Sequence, residues 1–322
     1  MNIMIRHNDS TSKIKIAMSK KIFYLLLLLM ASGEYCAQQD ALYSQYMFNP
    51  FAINPAYAGS RDAISGVILH RNQWAGLDGA PSTSSIALHS PFKGKHFSLG
   101  INAFAETIGP STNQGAFLTY AYRVKMPVGK LAFAIRGGMY SSRFDKGRLN
   151  YNNPADQHNT GGVFTAATPT FDFGAYYNTN HLFFGASVSH IAELGSSFDD
   201  VAETQLELNR HYIGSFGGAL EITRKLVYKP SIIVKYVAGA PLSLDINSSF
   251  LFNKVFWLGA SYRTSKSVVL VTELNVTDFL RIGYSYDIVF NQLQRYNNGS
   301  HELFIGFDFG LKKQKSVSPR YL

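Results

Sequence analysis

The feature that most constrains this chain is a two-residue alternation of apolar with polar or small side chains, renewed through segments of about ten residues. Leu280, Ile282, Tyr284, Tyr286 and Ile288 alternate with Arg281, Gly283, Ser285 and Asp287. Leu303, Ile305, Phe307 and Phe309 alternate with Phe304, Gly306 and Asp308, and the same pattern runs through 182–189 and 256–263. A helix scatters such residues around its circumference, whereas a strand sorts them onto two faces. The pattern predicts strands near 63–74, 82–90, 96–108, 114–125, 130–144, 170–179, 182–191, 211–222, 227–237, 242–252, 255–264, 267–276, 280–289 and 302–311. Charge is low at 16%, and the 24 Phe and 19 Tyr are enough to furnish the aromatic girdles of a membrane barrel. A soluble β-sandwich also alternates. Strand length, aromatic density and an export signal favour an all-β fold, a transmembrane antiparallel β-barrel of about 14 strands with an irregular N-terminal segment.

Connection lengths test that expectation independently, because bacterial barrels join an even number of strands by short turns at one end and longer loops at the other. Pro91–Lys95, Met126–Gly129, Asn180–His181, Thr223–Leu226, Asn253–Lys254 and Thr277–Phe279 are short, and all fall on even-numbered connections. The long connections, Asp145–Pro169, Ala192–Arg210 and Phe290–His301, all fall on odd ones. A miscounted strand breaks this parity.

The N-terminus reads as a targeting segment. Lys13, Lys15, Lys20 and Lys21 precede the apolar run Ile22–Met30, and Ala37 offers a small residue for cleavage before Gln38, the tripartite pattern of a secretory signal peptide. Translation from Met18 preserves a basic region. Residues Gly33-Glu34-Tyr35 make a poor lipobox before Cys36, the one cysteine. Residues 1–37 hold five Lys/Arg and two Asp/Glu, so the formal +9 of the chain falls to 25 − 19 = +6 beyond them. Those charges are dispersed on an exported chain, and no nucleic-acid partner is expected. The expected organisation is a signal peptide (1–37), an N-terminal segment (38–62), a barrel (63–311) and a basic periplasmic tail (312–322).

Alternation directs Glu106, Asp172, Asp245, Glu273, Asp287 and Asp308 inward, with Arg123, Arg136, Lys235, Arg263 and Arg281. A selective pore carries one dominant sign. Near balance points to paired charges in a packed interior; the alternative is that they solvate a watery channel. Fourteen strands enclose more space than their own side chains fill. The segment QQDALYSQYMFNPFAINPAYAGS, from Gln38 to Ser60, is a candidate plug: Asn49-Pro50 and Asn54-Pro55 oppose helix and strand alike, yet its Tyr, Met and Phe seek burial. The alternative is a periplasmic arm under the rim.

QYMFNPFAINPAYAGS, followed by HRNQWAGLDGAPSTSSIALHSPF, resembles the start of the PorP/SprF family, and the ending SPRYL resembles that family's close, with Leu322 in place of an aromatic residue. The matching residues include Tyr43, Gln45, Tyr46, Asn49, Pro50, Asn54, Pro55, Tyr57, Arg71, Gln73, Trp74 and Pro81, with Arg320 and Tyr321 at the end. The resemblance implies an outer-membrane component of the type IX secretion system, associated with gliding motility and adhesin export. It also implies several partners: the translocon, a cargo protein with a C-terminal sorting domain, and a periplasmic OmpA-like peptidoglycan-binding protein. A diffusion or solute-transport barrel is the alternative. Candidate contact points are Trp74–Ser82, the loops 145–169 and 192–210, the latter with Asp199, Asp200, Glu203 and Glu207, and the tail Lys312–Leu322. Trp74 serves equally as a girdle residue. The histidines are scattered without zinc-motif spacing and no phosphate-cradling loop precedes a helix, so no metal, cofactor or catalytic site is expected.

Overall fold

The computed structural model describes residues 43–92, 96–149, 162–197 and 205–310. The export signal and Cys36, the tail with Arg320 and Tyr321, and Asp199, Asp200 and Glu203 lie outside the described residues. The chain divides into two compact units, Met1–Ala37 with Gly239–Pro241, and Gln38–Ala238 with Leu242–Leu322. All described strands belong to the second.

They are β1 (Ile64–Asn72), β2 (Ser82–Pro91), β3 (Phe97–Ile108), β4 (Ser111–Lys125), β5 (Lys130–Asp145), β6 (Val163–Asn178), β7 (Leu182–Ser189), β8 (Gly195–Ser197), β9 (Gln205–Glu207), β10 (His211–Gly218), β11 (Leu220–Thr223), β12 (Leu226–Val237), β13 (Ser243–Phe252), β14 (Phe256–Arg263), β15 (Ser267–Asn275), β16 (Leu280–Val289) and β17 (Ser300–Phe309). β8 and β9 pair only with each other. The other fifteen form one antiparallel sheet, in which β10 and β11 are successive halves of one stave, leaving fourteen. β1 pairs with β17, and β10 with β12 as well as β7, so the sheet closes on itself. Closure satisfies the backbone groups that an open edge leaves bare. The fold is the expected one.

Burial alternates along each strand with the period that the sequence pattern predicts. In β14 every second residue is buried, with Trp257, Ser261 and Arg263 on the inner face and Leu258 and Tyr262 exposed. Leu118 is 70% exposed and Ile135 62%, and they belong to an apolar outward surface that also includes Ile68, Ile101, Phe171, Phe184, Ile282 and Ile305. A continuous apolar exterior of this extent is the mark of a surface that meets lipid. Long connections, 73–81, 146–162, 190–210 and 290–299, gather at one end. Tight turns dominate the other end. Asn253 and Lys254 both adopt positive φ at the centre of the turn between β13 and β14, which the Val255 N–H closes on the Phe252 carbonyl.

Several boundaries differ from the sequence reading, each for a local reason. β4 starts at Ser111 and leaves only Gly109-Pro110 as the turn from β3; Gly109, at φ 53°, supplies the left-handed residue this needs. β6 starts at Val163 and not 170, so the loop expected over 145–169 shrinks to 146–162. Pro169, the last residue of the expected long connection, is a strand residue paired with Met139. β7 pairs with β6 only from Phe173 onward, so Pro169 stands where β6 has no second neighbour to receive an N–H. The 192–210 connection carries the β8–β9 hairpin, and 290–301 a short 3-10 turn, Gln292–Arg295. Pro230, inside β12, lies opposite the break between β10 and β11; there Ala219 turns its N–H to the His181 carbonyl.

Candidate functional site: the barrel interior

The site follows from one consequence of alternation: charged residues of inward parity have no water to face unless the lumen supplies it. Glu106, Asp172, Asp245, Glu273, Asp287 and Asp308 are all buried, as are Arg136, Arg263 and Arg281; Arg123 and Lys235 are partly buried. Four further inward charges join them, Arg61, Arg71, Lys229 and Glu302. Glu302 shares parity with Phe304 and Asp308, and Lys229 with Lys235. Both stood near predicted strand ends, where parity carries least weight. Arg61 precedes β1 and has no strand period to reveal it.

These charges form two connected groups. In the half nearer the long connections, Asp245 meets Arg263 at 3.1 Å and Lys235 at 3.6 Å. Arg263 reaches Asp287 at 3.7 Å, and Arg71 joins Asp287 (2.8 Å) to Glu302 (3.3 Å). In the opposite half, Asp308 takes Arg61 at 2.8 Å and Arg281 at 3.2 Å, and Arg281 reaches Glu273 at 3.2 Å. On the far wall Arg136 pairs with Asp172, and Glu106 accepts from the Thr83 hydroxyl. Isolated charges in such surroundings cost several kcal/mol each, and mutual pairing is what permits them.

Residues 43–61 run between these groups. Their two Asn-Pro steps each start a one-turn 3-10 helix, Pro50–Ala52 and Pro55–Tyr57, with proline at the first position, where no N–H is required. Asn54 caps the second, its side chain accepting the Ala56 N–H at 2.9 Å. The segment opens on Glu302, whose carboxylate accepts the backbone N–H of Ser44 and of Gln45, each at 2.8 Å. The Ser44 hydroxyl donates to Asp287 and accepts from Arg71, and Gln45 Nε2 donates to the Glu302 carbonyl. Lys229 Nζ donates to the Met47 carbonyl, and Phe48 packs between Trp257 and Phe304. The chain then crosses to the facing wall. Asn54 donates to the carbonyls of Ala175 and Ala186, Ser187 to that of Ile53, and Arg123 to those of Ala58 and Gly59. Tyr57 meets Tyr176 and His89 edge-on, and His89 Nδ1 accepts the Gly59 N–H. Because Glu302 lies in the half nearer the long connections and Arg61 in the other, the segment traverses the interior.

Packing around it is close. A Cβ on Gly283 would collide with the Phe304 ring and Gln45 Oε1, and one on Gly174 with the Asn54 side chain. Tyr46, 3% exposed, shares a 3.3 Å hydrogen bond with Ser261; burial, and secondly the Asp245 charge, holds its hydroxyl well above the ordinary phenol range. Of the other sequence-selected residues, Gln45, Asn49, Asn54, Pro55, Tyr57, Arg71, Gln73 and Pro81 are buried, and Tyr43, Pro50 and Trp74 are partly so. Gln73, Trp74 and Pro81 stand apart from the interior contacts, in the β1–β2 connection. That connection is tied to the β16–β17 connection by Ala75–Gly299, Asn298–Ala75 and Trp74–Ser300 hydrogen bonds.

The family model for type IX secretion system membrane protein PorP/SprF matches residues 35–307. The SPRYL ending falls beyond the matched stretch. No curated protein matches the chain. Among solved structures, the chain is similar to the CymD monoaromatic hydrocarbon channel, at 11% identity and TM-score 0.49 over 86% of this chain and 95% of that one. It is also similar to the Pseudomonas putida toluene transporter TodX, at 10% identity and TM-score 0.46 over 87% and 95%. The Acinetobacter baumannii outer membrane protein Omp33 gives 10% identity and TM-score 0.42 over 77% and 100%.

Proposed function

Since the chain belongs to the PorP/SprF family of type IX secretion system membrane proteins, we propose that it serves in the outer membrane as a cargo-handling component of that system, with its lumen plugged by its own N-terminal segment. The observation that carries this reading is the clamp of Glu302, Asp287 and Arg71 on Ser44 and Gln45. Residues 43–61, bonded to both walls, occupy part of the interior that a solute would have to cross, which weighs against a diffusion barrel. The work then falls to the rim. The long-loop end faces the cell surface, and there the β1–β2 and β16–β17 connections, already tied together, present a shaped edge to a secreted adhesin bearing a C-terminal sorting domain. A signal peptide at 1–37 delivers the chain to the periplasm. The basic tail Lys312–Leu322 contacts a periplasmic OmpA-like protein.

The test is deletion of the gene followed by surface proteomics and uptake assays. The expected result is loss of one large protein carrying a C-terminal sorting domain from the cell surface, with small-solute uptake unchanged. Impaired uptake with normal surface display contradicts the reading and favours transport.

A further inference from the structure

The outward face of the barrel changes character along successive cross-strand rows on β3–β6. The row Ile101, Leu118, Gly137, Phe171 and the next, Ala103, Ala116, Met139, Pro169, are apolar. One step on, Gln114 pairs with Ser141, and the step after that aligns Thr107, Thr112, Arg143 and Thr165. Of these, β4, β5 and β6, with 15, 16 and 16 residues, are longer than the other described strands, so they stand above the apolar band as a ledge at the long-loop end. A cavity of about 330 Å³ opens on this ledge, lined by Thr112, Gln114, Ser141, Thr165, Arg143 and Arg148 among others. Neither arginine has a hydrogen-bond or ion-pair partner among the described residues. Asp145 also borders the cavity, but its carboxylate already accepts the Gly147 N–H at 3.0 Å, capping the short turn 146–148.

Depth decides what such a cavity meets. Arg143 is four residues beyond Met139, about 13 Å along the strand, and about 10 Å along the membrane normal at ordinary barrel tilt. Headgroups occupy the first ~5–7 Å outside the hydrocarbon, and arginine stems fold readily along apolar surface toward that layer. Two cations without partners among the described residues, in a pocket of hydroxyls and an amide bordered by one carboxylate, match a phosphate carried on a polar, hydroxyl-rich headgroup. We propose that the β4–β6 ledge binds the phosphate-bearing headgroup of an outer-leaflet lipid and so fixes the barrel's depth and rotation in the membrane. The site is independent of the lumen and of the cargo reading.

The experiment measures binding of bisphosphorylated lipid A, its dephosphorylated form and inorganic phosphate to the full chain in detergent. The proteins compared are wild type, an Arg143→Gln/Arg148→Gln variant, and a charge-matched control, Arg224→Gln/Lys225→Gln, in the exposed turn at the opposite end. Heat-modifiable gel mobility verifies that each is folded. The ledge variant is expected to bind bisphosphorylated lipid A about thirtyfold more weakly, with the control unchanged and the dephosphorylated lipid bound poorly by all three. Equal losses in both variants, or no loss in the ledge variant, would overturn the proposal. So would displacement of the lipid by millimolar inorganic phosphate, which assigns the pocket to the free ion.

Discussion

At the scale of single residues, one carboxylate organises the interior. Glu302 is fully buried, receives two consecutive backbone N–H groups and touches Arg71, so its removal strands two donors and leaves Arg71 with only Ser44 and Asp287 among the described residues. Glu302→Gln keeps one carbonyl acceptor, and a loss of about 1–3 kcal/mol is expected. Glu302→Leu keeps none, and the expected loss rises to about 3–5 kcal/mol. Urea titration read by heat-modifiable mobility gives the order wild type, Gln, Leu; equal midpoints for all three would show that the clamp contributes nothing. Little of this was legible beforehand. Parity directs Asp287, Arg263 and Arg281 to the inner face, because a strand's period leaves them no other, and all three are buried. Which acid meets which base depends on the stagger between strands far apart in sequence, and no local pattern encodes that. Arg71 was singled out by its motif, and only the fold joins it to Asp287, 216 residues away.

At the scale of elements, the strands were readable, and residues 38–60 could be read as a candidate plug but without the contacts they make. The β12–β17 wall matches its predicted boundaries to within two residues at each end, since each strand there is bounded by a turn with its own chemistry, such as Asn253-Lys254. The start of β6 was placed too late; the strand runs through Pro169 because β7 does not pair with it there, so the N–H that proline lacks costs no second ladder bond, a property of the neighbouring strand. For residues 43–61 the two Asn-Pro steps announced turns, but nothing in them specified Glu302 or Lys229 as partners. The segment donates and accepts hydrogen bonds on both walls, so its loss leaves charges of both signs in an emptied lumen. Deleting residues 43–60 is therefore expected to yield a barrel that still inserts and shows heat-modifiable mobility, with a urea midpoint clearly below wild type. A midpoint equal to wild type would mean that the interior contacts do not stabilise the fold.

At the scale of the whole molecule, two populations of side chain are sorted by a closed fourteen-stave wall: apolar residues face lipid, and a nearly balanced set of charges faces an interior occupied by the protein's own chain. Balance matters because six of the seven buried acids, Asp172, Asp245, Glu273, Asp287, Glu302 and Asp308, are met by arginines and lysines from other strands and from Arg61, and Glu106 by the Thr83 hydroxyl, so these described charges set up no field of one sign to draw an ion through. On the function proposed above, a barrel so filled serves as a scaffold for its loops. Single-channel recording in planar bilayers, comparing the full chain with the 43–60 deletion, reaches this claim most directly. Silence from the full chain and stable conductance from the deletion are the predicted results; equal conductance from both would contradict it.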